Sequence, residues 1–530
     1  MKGAFGWVAA WLLALSLPAQ SVFEGNGVPG AFLANSPAVV GRSVDFEMGS
    51  TTGAANLCIL TFSGGLGPTL APVVGWVGLD LFHPFLVSQW LGLGPSGQAK
   101  LSIPLPMGVG SALSPAFYAN AASLEPGLVV SVSKTVRVEW ASPNAWEPVG
   151  IMQAERQNHT TTALGVGPRD NETRLLVCGG MTGTILLPEP VSSAELFEPL
   201  TRTTVGLPRM AVPRAGHQAL RLPDGRVLLA GGLTAGGGVT STCEIFDPSA
   251  LAFLPAPSMS TARAGHRMTL LNDGRVLVTG GVAQWQNMAS TFLQALTSAQ
   301  SSAEIFDPVA NQWSPLPAMQ AARFGHSQTL LGDGRVLVVS GITGGQLVTP
   351  PLGATAFDAP TYTASCELFD PATETFQPTA ALGSGVQPRG YHGATELPDG
   401  SVLITGGFLA DAASFGAAMA TSSCAVWSQS GWAVAAPLPA PAAYHTQVPV
   451  DGGAMVTGGL SGALGSLPTT AQSVFHNGLM VVPLPPVGGV GTPEPRALHT
   501  TTELPDGTFL VYGGATWPLT RSDGWVYTPN

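Results

Sequence analysis

Ala322-Arg323-Phe324-Gly325-His326, then Leu330-Leu331-Gly332-Asp333-Gly334-Arg335-Val336-Leu337-Val338, closing on Ser340-Gly341, is the stretch that decides the fold. Two short apolar runs flank Asp-Gly, which reads as a β-hairpin whose turn residues take positive φ. The unit recurs. Glycine pairs stand at Gly179-Gly180, Gly231-Gly232, Gly280-Gly281, Gly406-Gly407, Gly458-Gly459 and Gly513-Gly514, and Ser340-Gly341 fills the same slot. Upstream of each lies a histidine: His159, His217, His266, His326, His392, His445 and His499. Arginine stands three residues before six of these (Arg156, Arg214, Arg263, Arg323, Arg389, Arg496), and Ala442 replaces it in the sixth repeat. Asp-Gly intervenes at Asp224-Gly225, Asp273-Gly274, Asp399-Gly400 and Asp506-Gly507 as well.

A third run follows each glycine pair, as in Glu195-Leu196-Phe197, Glu244-Ile245-Phe246, Glu304-Ile305-Phe306 and Glu367-Leu368-Phe369. It weakens to Ala425-Val426-Trp427, Ser473-Val474-Phe475 and Trp525-Val526-Tyr527. An Asp-Pro turn and an aromatic residue (Phe253, Trp313, Phe376) open a fourth run. Four short antiparallel strands repeating every ~50 residues are propeller blades. The Arg-x-x-His, the double glycine and the Glu-Φ-Phe-Asp-Pro-…-Trp pattern resemble kelch repeats, especially those of secreted bacterial kelch proteins. The resemblance covers residues 144–530 and implies a seven-bladed propeller.

The ring's closure is also legible. Asn144-Ala145-Trp146-Glu147-Pro148 matches Asn311-Gln312-Trp313-Ser314-Pro315, a fourth strand with no third strand before it. The chain ends at Tyr527-Thr528-Pro529-Asn530, after a third strand with no fourth. The segment near 144–152 is therefore expected to supply the outer strand of the seventh blade, leaving no open edge.

Composition places the chain among turn-rich, all-β exported proteins: 45% apolar, 10% charged, 67 Gly and 46 Pro in 530 residues. A net charge of −11, with lysine only at Lys2, Lys100 and Lys134, excludes a nucleic-acid partner, which needs a basic stripe. Met1-Lys2, an apolar run over residues 4–17 and Pro18-Ala19-Gln20 read as a signal peptide over 1–20, with an apolar core too short to span a bilayer. Extracellular or cell-envelope location, no transmembrane segment after its removal, and a monomer are the matching expectations. Cys243, Cys366 and Cys424 occupy equivalent slots in different blades, too far apart for disulfides; they and Cys178 are expected to be free and buried. Residues 21–140 carry no repeat. Alternating runs at 43–48, 57–62, 99–104 and 129–133 predict a small β-sandwich there, and the propeller takes residues 141–530.

Seven repeated histidines invite a metal reading, but repetition favours a structural one, since a catalytic site needs asymmetry. The expectation is that the histidines and arginines bond loop carbonyls and lock blades, and that arginine pairs with the Glu of Glu-Φ-Phe. The chain also resembles galactose oxidase and its copper-radical kin, a likeness that implies copper at Tyr391, His392, Tyr444, His445 and His499 in an oxidase. The cysteine cross-linked tyrosine of those enzymes has no counterpart here. Loops between the glycine pair and the third strand are long in repeats three to five and bear Trp285, Phe292, Phe357, Tyr362 and Phe408. Such an aromatic rim suits protein or carbohydrate recognition, so the leading expectation is a non-catalytic binding or scaffold protein without a cofactor. A copper oxidase and a purely structural envelope component are the alternatives.

Overall fold

A computed structural model describes ten strands between residues 31 and 139 by their backbone. It also describes residues 145–529 except 166–173, 185–186, 200–201, 285–297, 349–356, 384, 415, 464–467, 489–493, 505–506 and 517–518. The expected signal peptide lies outside the described residues. The four alternating runs of the N-terminal segment all fall in strands, at Ser43–Ser50, Leu57–Ser63, Gln98–Pro104 and Val129–Val132. They belong to a three-stranded and a five-stranded antiparallel sheet, and Leu66–Ala71 and Gly75–Leu79 form a separate two-stranded hairpin. How those sheets face one another lies outside what is described.

The remainder is a seven-bladed propeller. Blades 1 to 6 each run in chain order from the axis outward: blade 3, for example, is Arg267–Leu270, Val276–Thr279, Ala303–Asp307 and Gln312–Leu316. Their innermost strands start at Thr160, Gln218, Arg267, Ser327, Gly393 and Thr446. Blade 7 is Thr500–Glu503, Phe509–Tyr512 and Gly524–Thr528, completed by Ala145–Val149 in the register Trp146↔Tyr527. The closure read from the sequence is thus the observed one.

The second strand of each blade is buried on both faces, and apolar clusters fill the seven blade interfaces. Leu228, Ala230 and Ile245 of blade 2, for instance, pack on Val276, Val278 and Phe306 of blade 3. Outer-strand tryptophans add a latch to the preceding blade: Trp313 Nε1 donates to Pro257 O (2.9 Å), Trp432 Nε1 to Ala380 O (2.8 Å) and Trp146 Nε1 to Pro485 O (2.8 Å). The four described propeller cysteines are free and buried. Burial pushes the thiols of Cys243, Cys366 and Cys424 up to about 11.

The Asp-Gly turns differ from the expectation. Only the glycine takes positive φ, +87° at both Gly274 and Gly334. The aspartate carboxylate instead accepts the N–H two residues on, from Arg275 and Arg335 at 3.0 Å, an Asx turn. Each hairpin is accordingly one step longer than a two-residue turn.

Candidate functional site

Innermost strands run downward from the histidines, so the glycine pairs and the long loops share the upper face. Each histidine start is held by its blade's arginine. Arg156, Arg214, Arg263 and Arg323, all fully buried, meet Glu195 (2.5 Å), Glu244 (2.7 Å), Glu304 (2.8 Å) and Glu367 (2.6 Å) of their own blades. Each also donates to two backbone carbonyls, as Arg263 does to Gly280 and Ser302. The glutamates in turn accept backbone N–H groups of the loop that enters the blade, such as Ser260 N at 2.7 Å. These buried charges are therefore paired and hydrogen-bonded, the condition under which burial is tolerated. Blade 7 uses Asp523 (2.7 Å from Arg496) rather than the third-strand slot. Arg389 of blade 5 has no carboxylate; the carbonyls of Gly406 and Ser423 and the Ser423 hydroxyl cradle it, and burial lowers its pKa to about 10.

The histidines lock blades through side-chain hydroxyls, not the loop carbonyls expected. Nε2 of His217 meets Thr160 (3.0 Å), His326 meets Thr279 (2.8 Å), His392 meets Ser327 (2.8 Å) and His445 meets Thr405 (2.8 Å), each on the preceding blade. His499 meets Thr446 and Thr457 at 3.0 Å, and His159 closes the circle on Thr500 at 3.3 Å. This explains the glycine pair. A Cβ on Gly280 would sit 2.8 Å from the His326 ring and 2.4 Å from the Arg323 carbonyl. His266 is the exception: blade 2 offers Gln218 and Ala230 where its neighbours offer hydroxyls, and both ring nitrogens are buried without partners. The repeat pattern makes His217 and His266 equivalent, but the structure separates them. His266→Leu should cost about 1 kcal/mol less than His217→Leu, the difference being one hydrogen bond, in urea unfolding. Equal costs would show that packing alone matters.

At the axis the residue before each histidine closes a ring. Asn158, Gly216, Gly265, Gly325, Tyr391, Tyr444 and Leu498 all have φ between 52° and 61°. Each donates its N–H to the previous member's carbonyl, from Asn158 to Leu498 at 2.9 Å around to Leu498 on Tyr444 at 3.2 Å. Left-handed backbone suits glycine, and three members comply. The other four carry side chains at a strained φ, and these break the symmetry. Tyr391 and Tyr444 stack with centroids 4.0 Å apart. The Tyr391 ring lies over Gly325, where a Cβ would be 3.1 Å away.

The long loops roof this sector. Ile342–Val348 pairs with Phe357–Tyr362, and Phe408–Asp411 with Ala417–Ala420. Tyr362 packs with Phe324, Ile342 and Tyr391, and its buried hydroxyl has no partner. Phe408 is 1% exposed and meets Tyr444 edge-on at 6.0 Å, so it is floor rather than contact surface. The Phe357 backbone pairs with Val348. Trp285 and Phe292 lie outside the described residues. Two readings that the sequence kept separate, rim aromatics (Tyr362, Phe408) and a tyrosine pair (Tyr391, Tyr444), thus meet in one cluster. The sequence reading missed Asn158, Leu498 and Arg267. The signal was present: Arg267 is the one charged residue among those directly after the repeat histidines.

The Nε2 atoms of His392, His445 and His499 are engaged by hydroxyls in three different blade interfaces, and no group of three or more His, Cys, Asp or Glu gathers among the described residues. Cys366 and Cys424 donate to carbonyls two residues back within their own blades. Burial, assisted in His392 by the Arg389 and Arg267 charges, holds the imidazoles below their usual pKa, down to about 4 for His445.

The fold defines a seven-bladed propeller of the kelch type. A model of the Kelch motif matches residues 269–320, essentially blade 3, and the other blades repeat the strand order of that blade. No curated protein matches it. Among solved structures, a novel fungal alcohol oxidase of the AA5 family, in complex with copper, is similar at 15% identity and TM-score 0.51, covering 72% of this chain and 76% of that one. The structure of YjhT aligns at 15% identity and TM-score 0.45, covering 63% of this chain and 98% of that one. At such identity the likeness is one of fold.

Proposed function

We propose that the protein is an exported, non-catalytic binding protein that takes a carbohydrate on the upper axial face of its propeller. One observation carries the reading: the axial ring is bare glycine on one side and a stacked tyrosine pair on the other. A sevenfold scaffold has no structural need for that asymmetry, and half-buried aromatic rings on one side of the ring with the Asn158 amide on another are the elements of sugar recognition: an apolar face to stack on and an amide to bond hydroxyls. Export is supported by the pattern of residues 1–20.

The test exploits the backbone. Tyr391→Gly and Tyr444→Gly place at these positions the residue that three repeats already use, relieving positive φ while removing the rings. On a glycan array the wild type should capture a defined sugar class, and the double variant should lose at least tenfold in affinity while still unfolding in one cooperative melt well above the assay temperature. Capture of sugars undiminished in the variant refutes this face as the site. Capture of peptides alone would replace carbohydrate with protein as the ligand class.

A further inference from the structure

Six of the buried arginines at blade starts have carboxylates or a cradle of three oxygens. Arg267 has neither. It is the first residue of the innermost strand of blade 3, at the position where Thr160, Ser327, Thr446 and Thr500 carry hydroxyls. Its Nε donates to the backbone carbonyl of His326 in blade 4, 2.8 Å away, which fixes the plane of the guanidinium. Among the described residues it has no ion pair. That contact also gives its direction. The carbonyl belongs to the residue after Gly325, the glycine over which the Tyr391 ring lies, with Tyr444 stacked on the far side. Residues from blades 3, 4, 5 and 6 thus meet at the mouth of the channel with one unneutralised positive charge.

Burial lowers the pKa of Arg267, and the titratable groups that act on it, the Tyr391 and Tyr444 phenols, are kept protonated and uncharged by burial. Burial, assisted by neighbouring cations, holds the surrounding imidazoles neutral, so they neither add to the charge of Arg267 nor balance it. A half-buried guanidinium left without an anion is a cost the fold could avoid with any of the hydroxyl residues used in the sister blades. Among the described residues its terminal nitrogens have no hydrogen-bond partner, and such a planar fork matches a carboxylate, which accepts two parallel N–H bonds.

We propose that Arg267 is a carboxylate-binding site at the channel mouth beneath the tyrosine pair. The carboxylate is either a free small acid or one carried by the sugar on the platform above; in the second case the inference rests on the carbohydrate reading, and in the first it stands alone.

The test compares full-length wild type with Arg267→Met, in thermal melts and calorimetric titrations with acetate, glucuronate and glucose, against chloride at matched ionic strength. The variant should fold and melt at the same or a higher temperature, because a buried unpaired charge has been replaced by an apolar chain of similar length. Acetate should raise the wild-type melting temperature and leave the variant's unmoved, with at least tenfold weaker binding. Glucuronate binding far above both acetate and glucose assigns the carboxylate to a sugar; acetate and glucuronate binding equally assigns it to a free acid and counts against the carbohydrate reading alone. Glucose binding equally to both proteins, without an acetate response, overturns the Arg267 site and leaves the carbohydrate reading standing. A variant that melts markedly lower, with the acetate response intact, makes Arg267 a tie between blades 3 and 4 and likewise overturns it.

Discussion

Lowering the pH from about 7 to about 5 should unfold the propeller in one cooperative step, above the ordinary carboxylate pKa values of about 3.9 to 4.3. The cause is the circle of buried imidazoles. His159, His217, His266, His326, His392 and His499 are held well below 6.5, first by burial and then by neighbouring cations, chiefly the blade arginines; His445 is lowered to about 4 by burial. Above about 6.5 neither folded nor unfolded chain protonates these rings, so their contribution is fully present there. Between about 6.5 and the folded values the unfolded chain binds protons that the folded chain refuses, and stability falls with pH. Each ring contributes roughly 1.4 kcal/mol per pH unit. The circle together therefore costs on the order of 10 kcal/mol one unit below 6.5, comparable to the whole stability of an ordinary domain. Residual structure in the unfolded chain reduces the figure without changing its sign. Circular dichroism melts across this range supply the measurement, and a melting temperature flat from about pH 7 to about 5 sinks the argument.

That circle shows what the sequence discloses and what it hides. The blades were legible because each repeat answers a local steric demand that recurs: glycine where a histidine ring packs on the backbone, Asp-Gly where the hairpin turns, arginine opposite glutamate. The arginine pairing was readable in blades 1 to 4, where both partners keep their slots. It was hidden in blade 7, where Asp523 lies two residues before the expected position at Trp525 and reaches Arg496 from there. The histidine partners were hidden for a different reason. Thr160 and Thr279 occupy different strands of their blades, and only the three-dimensional staggering of neighbouring blades brings either hydroxyl to the next imidazole. The candidate site is written in departures from the repeat. Tyr391, Tyr444, Leu498 and Asn158 stand where glycine stands elsewhere, and Arg267 where hydroxyls do. Repetition reveals the scaffold by what is kept, and the deviations in it mark where this protein differs from a bare ring.

A chain beginning at residue 153 should lose the propeller's cooperative melt, whereas one beginning at residue 141 should keep it. The twelve residues between these starts, 141–152, hold the ring shut in three ways. Ala145–Val149 gives blade 7 its fourth strand, along the whole length of Gly524–Thr528. Trp146, 6% exposed, packs at 5.1 Å on Tyr527 and donates to Pro485 of blade 6. Past the strand, Gly150 accepts the Tyr512 hydroxyl at 3.0 Å, and Met152 N–H donates to Ser522 O at 2.8 Å while its side chain fills the core between blades 7 and 1. Loss of a buried tryptophan alone costs about 3–5 kcal/mol. The shorter chain also bares the third strand of blade 7 as an unpaired edge, a template for association with other copies. Light scattering should therefore rise as the melting temperature falls by roughly 10 °C or more. Trp146→Ala in the full chain should show an intermediate loss without the aggregation, because the strand remains and only its anchor is gone. If the two truncated chains melt alike, the seventh blade is stable on three strands and the seam is not what closes the ring.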